Sequence, residues 1–224
     1  MHGEWPQPGV IRERLRAAVR GIALHAAVQL VLVWPVLLAA AAGSESPTEA
    51  VRGTVSRVLS ILEDPALKDP AKLKPRRRML EDVIATRFDY AEMSRRALAA
   101  YWKPLTTAER TEFVELFKRF LSDRYAEKIE DYSGEQVEYR SERIEGTYAE
   151  VRTELHSDKT TIPMDYRLLL KEGRWHAYDI IVDGVSLVKN YRSQFQKIIR
   201  ESSYQELVNK LRGRTLTEAR KTKP

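Results

Sequence analysis

Residues 178–195 read YDIIVDGVSLVKNYRSQF. The apolar residues of Tyr178–Val182 predict the end of a β-strand, and Asp183-Gly184 predicts a turn. After the turn, apolar side chains recur at helical spacing, so we expect a helix over Gly184–Arg200 with Asp183 as its N-cap. A strand and a helix joined by almost no loop would form one apolar wall. No side chain in the segment is typical of a catalyst.

The sequence before this segment predicts an antiparallel sheet. After Gly134, apolar residues recur at every second position, which is typical of strands with one covered face. Turns are indicated at Glu145-Gly146 and at Lys171-Glu172-Gly173. The four expected strands cover about Val137–Arg143, Ala149–Leu155, Ile162–Leu170 and Arg174–Val182.

The remaining segments favour helices. One is expected from Val51 to Leu62, and another opens with the capping-box residues Thr106 and Glu109 and continues to Ile129. Further cap signals are Asp89 with Glu92 and Ser203 with Glu206. The sequence therefore predicts one α+β domain, in which a curved antiparallel sheet of about four strands is wrapped on one face by helices.

The N-terminal segment, residues 1–42, is predicted to be a signal peptide. Arginines at 12, 14, 16 and 20 precede an apolar run, and the small residues Ala39–Gly43 suit cleavage after Ala42. An uncleaved anchor is the alternative, because about 20 apolar residues can span a bilayer. The expected domain is then 43–213, and the basic residues 214–224 are expected to be disordered. The chain has no cysteine, so an exported domain would depend on its apolar core.

The sequence contains no motif of a common enzyme class. There is no Gly-rich phosphate loop, HExxH, GxSxG or CxxC. Asp179 and Asp183, four residues apart on a strand, would be about 13 Å apart, which is too far for a catalytic carboxylate pair. His176 and Asp179 would point to opposite strand faces. We therefore expect no catalytic residue, no metal site and no cofactor.

Three motifs in order resemble those of the toluene-tolerance, or MlaC, family. They are FDYAEMSRRALAAYW at Phe88–Trp102, TTAERTEFVELFKRFL at Thr106–Leu121, and the segment at 178–195. Departures from the family strings are Tyr90 for Phe, Asp183 for Glu and Lys189 for Asn. The resemblance covers roughly Val51–Arg212.

This resemblance implies an NTF2-like domain that carries a phospholipid through the periplasm, with its acyl chains buried between sheet and helices. It also implies two partners: an inner-membrane ABC transporter with an MCE-domain ring, and an outer-membrane lipoprotein–porin complex. Such a carrier maintains the lipid asymmetry of the outer membrane. Neither a nucleic acid nor a cofactor is implied.

The candidate lipid-binding residues are inward positions of the sheet and of the helices that face it. Tyrosines suit a pocket mouth, and an arginine fork matches a phosphate group. The candidates are Tyr101, Phe117, Leu121, Tyr125, Tyr166, Leu168, Tyr178, Ile180, Val185, Val188, Tyr191 and, for the phosphate, Arg192.

Two other functions stay open from the residues alone. One is an interaction module of an envelope complex with a fully packed core, and the other is a hydrolase or isomerase on a similar curved sheet. The basic stretch Lys68–Arg78 could meet an anionic membrane surface or an acidic partner, or it could be a solvated face.

Overall fold

The structure, a computed structural model, describes residues 45–157 and 160–213. The predicted signal peptide and basic tail lie outside these residues. The helices are α1 (Pro47–Glu63), α2 (Leu73–Arg87), α3 (Tyr90–Leu98), α4 (Thr107–Glu130), α5 (Leu187–Glu201) and α6 (Tyr204–Arg212). The strands are β1 (Gln136–Glu145), β2 (Tyr148–His156), β3 (Thr161–Lys171), β4 (Arg174–Val182) and β5 (Val185–Ser186). Short 3₁₀ turns lie at Pro65–Leu67, Pro70–Lys72 and Ala99–Trp102.

Three predicted helix starts are confirmed by their capping bonds. Thr106 accepts from the Glu109 amide while the Glu109 carboxylate accepts from the Thr106 amide, a complete capping box at the start of α4. Asp89 and Ser203 cap α3 and α6 in the same positions that the sequence indicated. Between 45 and 157, and between 160 and 213, no helix is both long and apolar enough to cross a membrane.

The five strands form one antiparallel meander in the order β1-β2-β3-β4-β5. The predicted α+β class and curved antiparallel sheet are confirmed. Glu172 and Gly173 connect β3 to β4 with φ values of 52° and 74°. Two successive residues with positive φ are the signature of a two-residue hairpin turn whose twist matches the flanking strands.

The junction after β4 differs from the prediction in two ways. Asp183 and Gly184 both have positive φ, so the chain reverses there and Val185-Ser186 pairs with β4 as a fifth strand. The helix therefore begins at Leu187 and not at Gly184. Its N-cap is Ser186, whose hydroxyl accepts from the Lys189 amide at 3.0 Å. The prediction of Asp183 as N-cap was wrong because Asp183 belongs to a hairpin turn.

The apolar side chains fall into three separate clusters. The helical core joins α3, α4, α5 and α6 around the rings of Phe113, Phe117, Tyr191 and Phe195. The sheet cluster joins Ala50 and Val51 of α1 to Ala149, Val151, Leu168 and Trp175 of the sheet. The hairpin cluster joins Ile61 and Leu62 of α1 to Leu80 of α2. A domain of this size more often has one contiguous core.

The helical core predicts a large penalty for truncating its central rings. Phe113 is fully buried, and its ring lies 5.6 Å from that of Phe195 in an edge-on arrangement. We expect Phe113→Ala to lower the free energy of unfolding by about 3–5 kcal/mol, because it removes buried carbon and leaves a cavity. Urea unfolding followed by circular dichroism measures this change.

The matched control is Ile144→Ala on β1, because Ile144 is 51% exposed. Its unfolding free energy should change by less than about 0.5 kcal/mol. Equal losses in the two variants would contradict the placement of Phe113 at the centre of the helical core.

Candidate functional site

The candidate site is the face of the sheet on which α1 lies. Cross-strand partners share a face, and the register aligns Ala149, Leu168 and Ala177 in one row and Val151, Tyr166 and Ile180 in the next. A third row continues through Thr153, Met164 and Val182. We call this surface the apolar face. Its apolar side chains come from three neighbouring strands.

The apolar face is uncovered in part on β3 and β4, whereas Val151 and Thr153 on β2 are buried. Along β3, Leu168 is fully buried whereas Tyr166, Met164 and Ile162 are half-buried. Along β4, Ala177 is fully buried, Ile180 is half-buried and Val182 is 39% exposed. Burial therefore falls in the same direction on two adjacent strands. The apolar face continues beyond the helix that covers it.

Half-buried apolar side chains also lie at the borders of the other two clusters. Tyr101 and Tyr125 lie against the helical core, and Val58, Leu59 and Ile129 lie against the hairpin cluster. These side chains are packed on one side only. Apolar surface at the borders of these clusters is therefore only partly covered, whereas one contiguous core would bury it.

Ten of the twelve predicted lipid-binding residues fall into two groups. Tyr166, Leu168 and Ile180 share the apolar face. The helical core contains Phe117, Leu121, Val188 and Tyr191, with Tyr101, Tyr125 and Tyr178 packed at its border. Val185 lies on β5 and is 45% exposed. The sequence prediction of one shared pocket wall therefore combined residues from two clusters.

Tyr178 does not share a face with Ile180, although it lies two positions before it. The β3–β4 register shifts between Arg167 and Leu168, so that Tyr178 has no cross-strand partner. Such a bulge moves one residue out of the alternation. The Tyr178 ring lies under the Arg96 guanidinium at 3.9 Å and edge-on to the Tyr148 ring at 6.1 Å.

Arg192, the predicted phosphate-binding residue, connects two helices. Its Nε donates to the backbone oxygen of Arg96 at 2.8 Å, which ties α5 to α3. The side chain is half-buried. A phosphate role for Arg192 stays a prediction.

Two tyrosines of the predicted set remain protonated at physiological pH. Burial raises the pKa of Tyr166, and nearby Tyr139 raises it further. Burial also raises the pKa of Tyr191, with smaller contributions from Tyr125. The Tyr166 hydroxyl donates to Met164 Sδ at 3.2 Å, a weak acceptor. Neutral hydroxyl groups in an apolar wall can donate to an ester or phosphate oxygen.

One acidic cluster has metal-like spacing but already contains an arginine. Glu138, Glu154 and His156 bring their ligand atoms within 4.8 Å of one another. Arg140 bridges the two carboxylates, with its Nη2 2.6 Å from Glu154. A guanidinium between the two carboxylates opposes a cation there, so the cluster is an ion-pair network on the exposed side of β1 and β2.

The family profile described as "MlaC protein" matches residues 52–213. The chain belongs to the MlaC protein family. The match covers α2 to α6, all five strands and most of α1. The resemblance indicated by the three sequence motifs is therefore confirmed.

Three similar proteins of known description support this MlaC assignment. The chain is 22% identical over 122 residues to "Intermembrane phospholipid transport system binding protein MlaC" of Haemophilus influenzae, covering 52% of this chain and 57% of that protein. It is 25% identical over 171 residues to "Toluene tolerance protein ttg2D" of Pseudomonas putida, covering 74% and 77%. The Haemophilus match thus spans a little over half of that relative.

The structural comparison points to the same MlaC-type fold. A phospholipid-binding protein from Ralstonia solanacearum, solved in complex with a phospholipid, superposes with a TM-score of 0.67. The two are 25% identical, and the match covers 74% of this chain and 94% of that one.

Asp179 is a residue of this MlaC domain whose role the sequence did not reveal. It is 4% exposed and accepts from the Ser186 hydroxyl at 2.6 Å and from the Val188 amide at 3.0 Å. These bonds fix the first turn of α5 against β4. The available signal was an acidic residue within an apolar strand, since a buried carboxylate needs donors.

The geometry predicts that the Asp179 carboxylate supports α5. In Asp179→Asn an NH₂ group replaces one of two acceptor oxygens, so we expect the free energy of unfolding to fall by about 1–2 kcal/mol. Asp183→Asn is the matched control, because Asp183 is exposed and Asn tolerates positive φ. Thermal or urea unfolding compares the two, and an equal effect would contradict the supporting role.

Proposed function

We propose that this protein is a phospholipid carrier of the periplasm. It would move lipid between an inner-membrane ABC transporter with an MCE-domain ring and an outer-membrane lipoprotein–porin complex, and so maintain outer-membrane lipid asymmetry. Membership of the MlaC family and the descriptions of the three similar proteins support this proposal. The predicted signal peptide supports the location.

The observation that carries the proposal is the fall in burial along the apolar face. Leu168 and Ala177 are fully covered, whereas in the next row Val151 is covered but Tyr166 and Ile180 are only half-buried. A packed module would cover this row with its own side chains. An acyl chain lying along β3 and β4 would cover it instead, with no polar group needed from the protein along its length.

The energetics of acyl burial determine how such a carrier works. Transfer of one 16-carbon chain from water stabilises the complex by about 12 kcal/mol, at about 0.8 kcal/mol per methylene. Release into water is therefore very slow. Transfer needs a partner that offers an equally apolar path. The chain has no nucleotide-binding motif, so a partner would supply the energy for directional transport.

The side chains of the apolar face favour a binding role over an enzymatic role. The apolar face has one buried polar side chain on its rows, Thr153, and its hydroxyl donates to the Met164 backbone oxygen at 2.6 Å. That group is committed to the sheet. A carrier needs no reacting group, and the apolar character of the face is sufficient for it.

Native mass spectrometry tests the proposal directly. The full chain is expressed with its own leader, purified without detergent and sprayed from volatile buffer, and any adduct is extracted and identified. We expect one adduct of phospholipid mass per protein. A folded, monodisperse protein that carries no lipid, and takes up none from phosphatidylglycerol or phosphatidylethanolamine vesicles, would instead support the interaction module.

A pair of strand variants locates the lipid on the apolar face. We expect Ile180→Asp to abolish lipid co-purification, because it places a charge where an acyl chain would lie. The control is Leu169→Asp, since Leu169 is also a half-buried aliphatic residue but belongs to the opposite face, opposite Tyr148 and His176. The readout is lipid per folded protein, with folding checked by circular dichroism.

If a folded Ile180→Asp protein retained its lipid, the apolar face would not be part of the lipid-binding site. Equal loss in both variants would show that the charge acts through the stability of the sheet.

A further inference from the structure

The connection between α1 and α2 presents a concentrated basic surface. We call residues 64–79 the hairpin tip. Lys68, Lys72, Lys74 and Arg78 are all exposed there. Within residues 45–157 and 160–213, none of these four makes an ion pair. By contrast, Arg140, Arg152 and Arg167 of the sheet each contact a carboxylate.

The hairpin tip also exposes two large apolar side chains among these charges. Leu73 is 45% exposed at the start of α2, and Met79, later in the same helix, is 44% exposed. Most of the apolar side chains of α1 and α2 pack inward, as Ile61, Leu62 and Leu80 do. A surface that combines free lysines with exposed apolar side chains is typical of segments that lie in the headgroup region of a membrane.

The backbone of the hairpin tip is held in place. Two successive Asp-Pro-Ala turns start at Asp64 and Asp69, and each aspartate accepts from the amide two residues later, at 2.9 and 2.8 Å. Proline restricts the backbone at both turns. Arg77 fastens the start of α2 to α4 through two bonds of 3.1 Å to Glu130. The exposed charges are thus presented on a preformed surface.

The local chemistry at the start of α2 favours an anion. The first turn of α2 contains no acidic residue, and its N-cap, Lys72, makes no side-chain capping bond. Phosphate oxygens from outside would interact favourably with the positive end of this helix dipole.

We propose that the hairpin tip docks on the surface of a membrane that contains anionic phospholipid. Three of the four free cations are lysines, whose compact charges suit a mobile layer of headgroups and lack the planar fork that recognises a fixed carboxylate. Leu73 and Met79 then insert between headgroups. This docking surface is separate from the cargo site on the apolar face, so a chain could dock without carrying lipid.

Vesicle co-flotation tests the docking surface. The full chain, expressed with its own leader, is mixed with one of two vesicle preparations. The neutral vesicles contain phosphatidylcholine alone, and the anionic vesicles also contain a substantial share of phosphatidylglycerol. We expect binding only to the anionic vesicles, and we expect it to weaken steeply with added salt. Any contribution of the leader is common to every variant compared.

A matched pair of quadruple variants isolates the hairpin tip. The tip variant carries Lys68→Gln, Lys72→Gln, Lys74→Gln and Arg78→Gln. The control carries Lys103→Gln, Lys189→Gln, Lys197→Gln and Arg200→Gln, which are also exposed and remove the same charge. We expect the tip variant to weaken binding about tenfold or more and the control less than about threefold, since each basic residue at the membrane surface contributes separately.

A third variant, Leu73→Ser with Met79→Ser, should weaken binding at high salt as well as at low salt, because insertion is not screened. Equal binding by the tip and control variants would overturn the proposal, as would equal binding to neutral and anionic vesicles. Capture of an acidic protein without vesicle binding would also overturn it.

The lipid content of the same proteins separates this proposal from the proposed function. A tip variant that loses vesicle binding but keeps its phospholipid adduct supports both. If the wild-type protein floats with anionic vesicles but carries no lipid, the docking proposal is supported and the carrier function is contradicted.

Discussion

The sheet of this domain has more apolar surface than its own helices cover, and that imbalance connects most features of the structure. Helix α1 buries the rows near the β3–β4 hairpin turn, where Leu168 and Trp175 pack against Ala50 and Val51. Beyond that contact the apolar face continues through Tyr166 and Ile180. Leaving such surface in water is unfavourable in proportion to its area, so a second apolar component is the natural partner.

The domain can leave this surface uncovered because its stability lies elsewhere. The helical core contains the largest fully buried rings, and it is separate from the sheet cluster. Asp179 connects the two parts, because it sits on β4 and binds the start of α5. Arg87 makes a different connection, between α2 and the sheet cluster: its side chain donates to the Thr54 hydroxyl of α1 and to the backbone oxygen of Trp175 on β4. The apolar face and the helical core therefore consist of different sets of side chains.

Local sequence patterns predicted most of the fold, and long-range pairing explains what they missed. The capping residues Thr106, Asp89 and Ser203 and the turn at Glu172-Gly173 act through bonds to near neighbours, so their positions could be read directly. The bulge at Tyr178 and the pairing of Val185-Ser186 depend on the partner strand, which local periodicity does not contain. As a result, Tyr178 was assigned to the wrong face, and the helix was started three residues too early. Periodicity also did not predict that the candidate lipid-binding residues divide between two clusters.

The most direct measurement is photocrosslinking from a phospholipid whose acyl chain carries a diazirine near its end, followed by mapping of the labelled peptides. The account predicts label on β3 and β4 between Met164 and Val182, with Tyr166 and Ile180 among the labelled residues. Label confined to the opposite face of the sheet around Tyr148, or to the hairpin tip, would contradict the central claim that the apolar face holds the acyl chain.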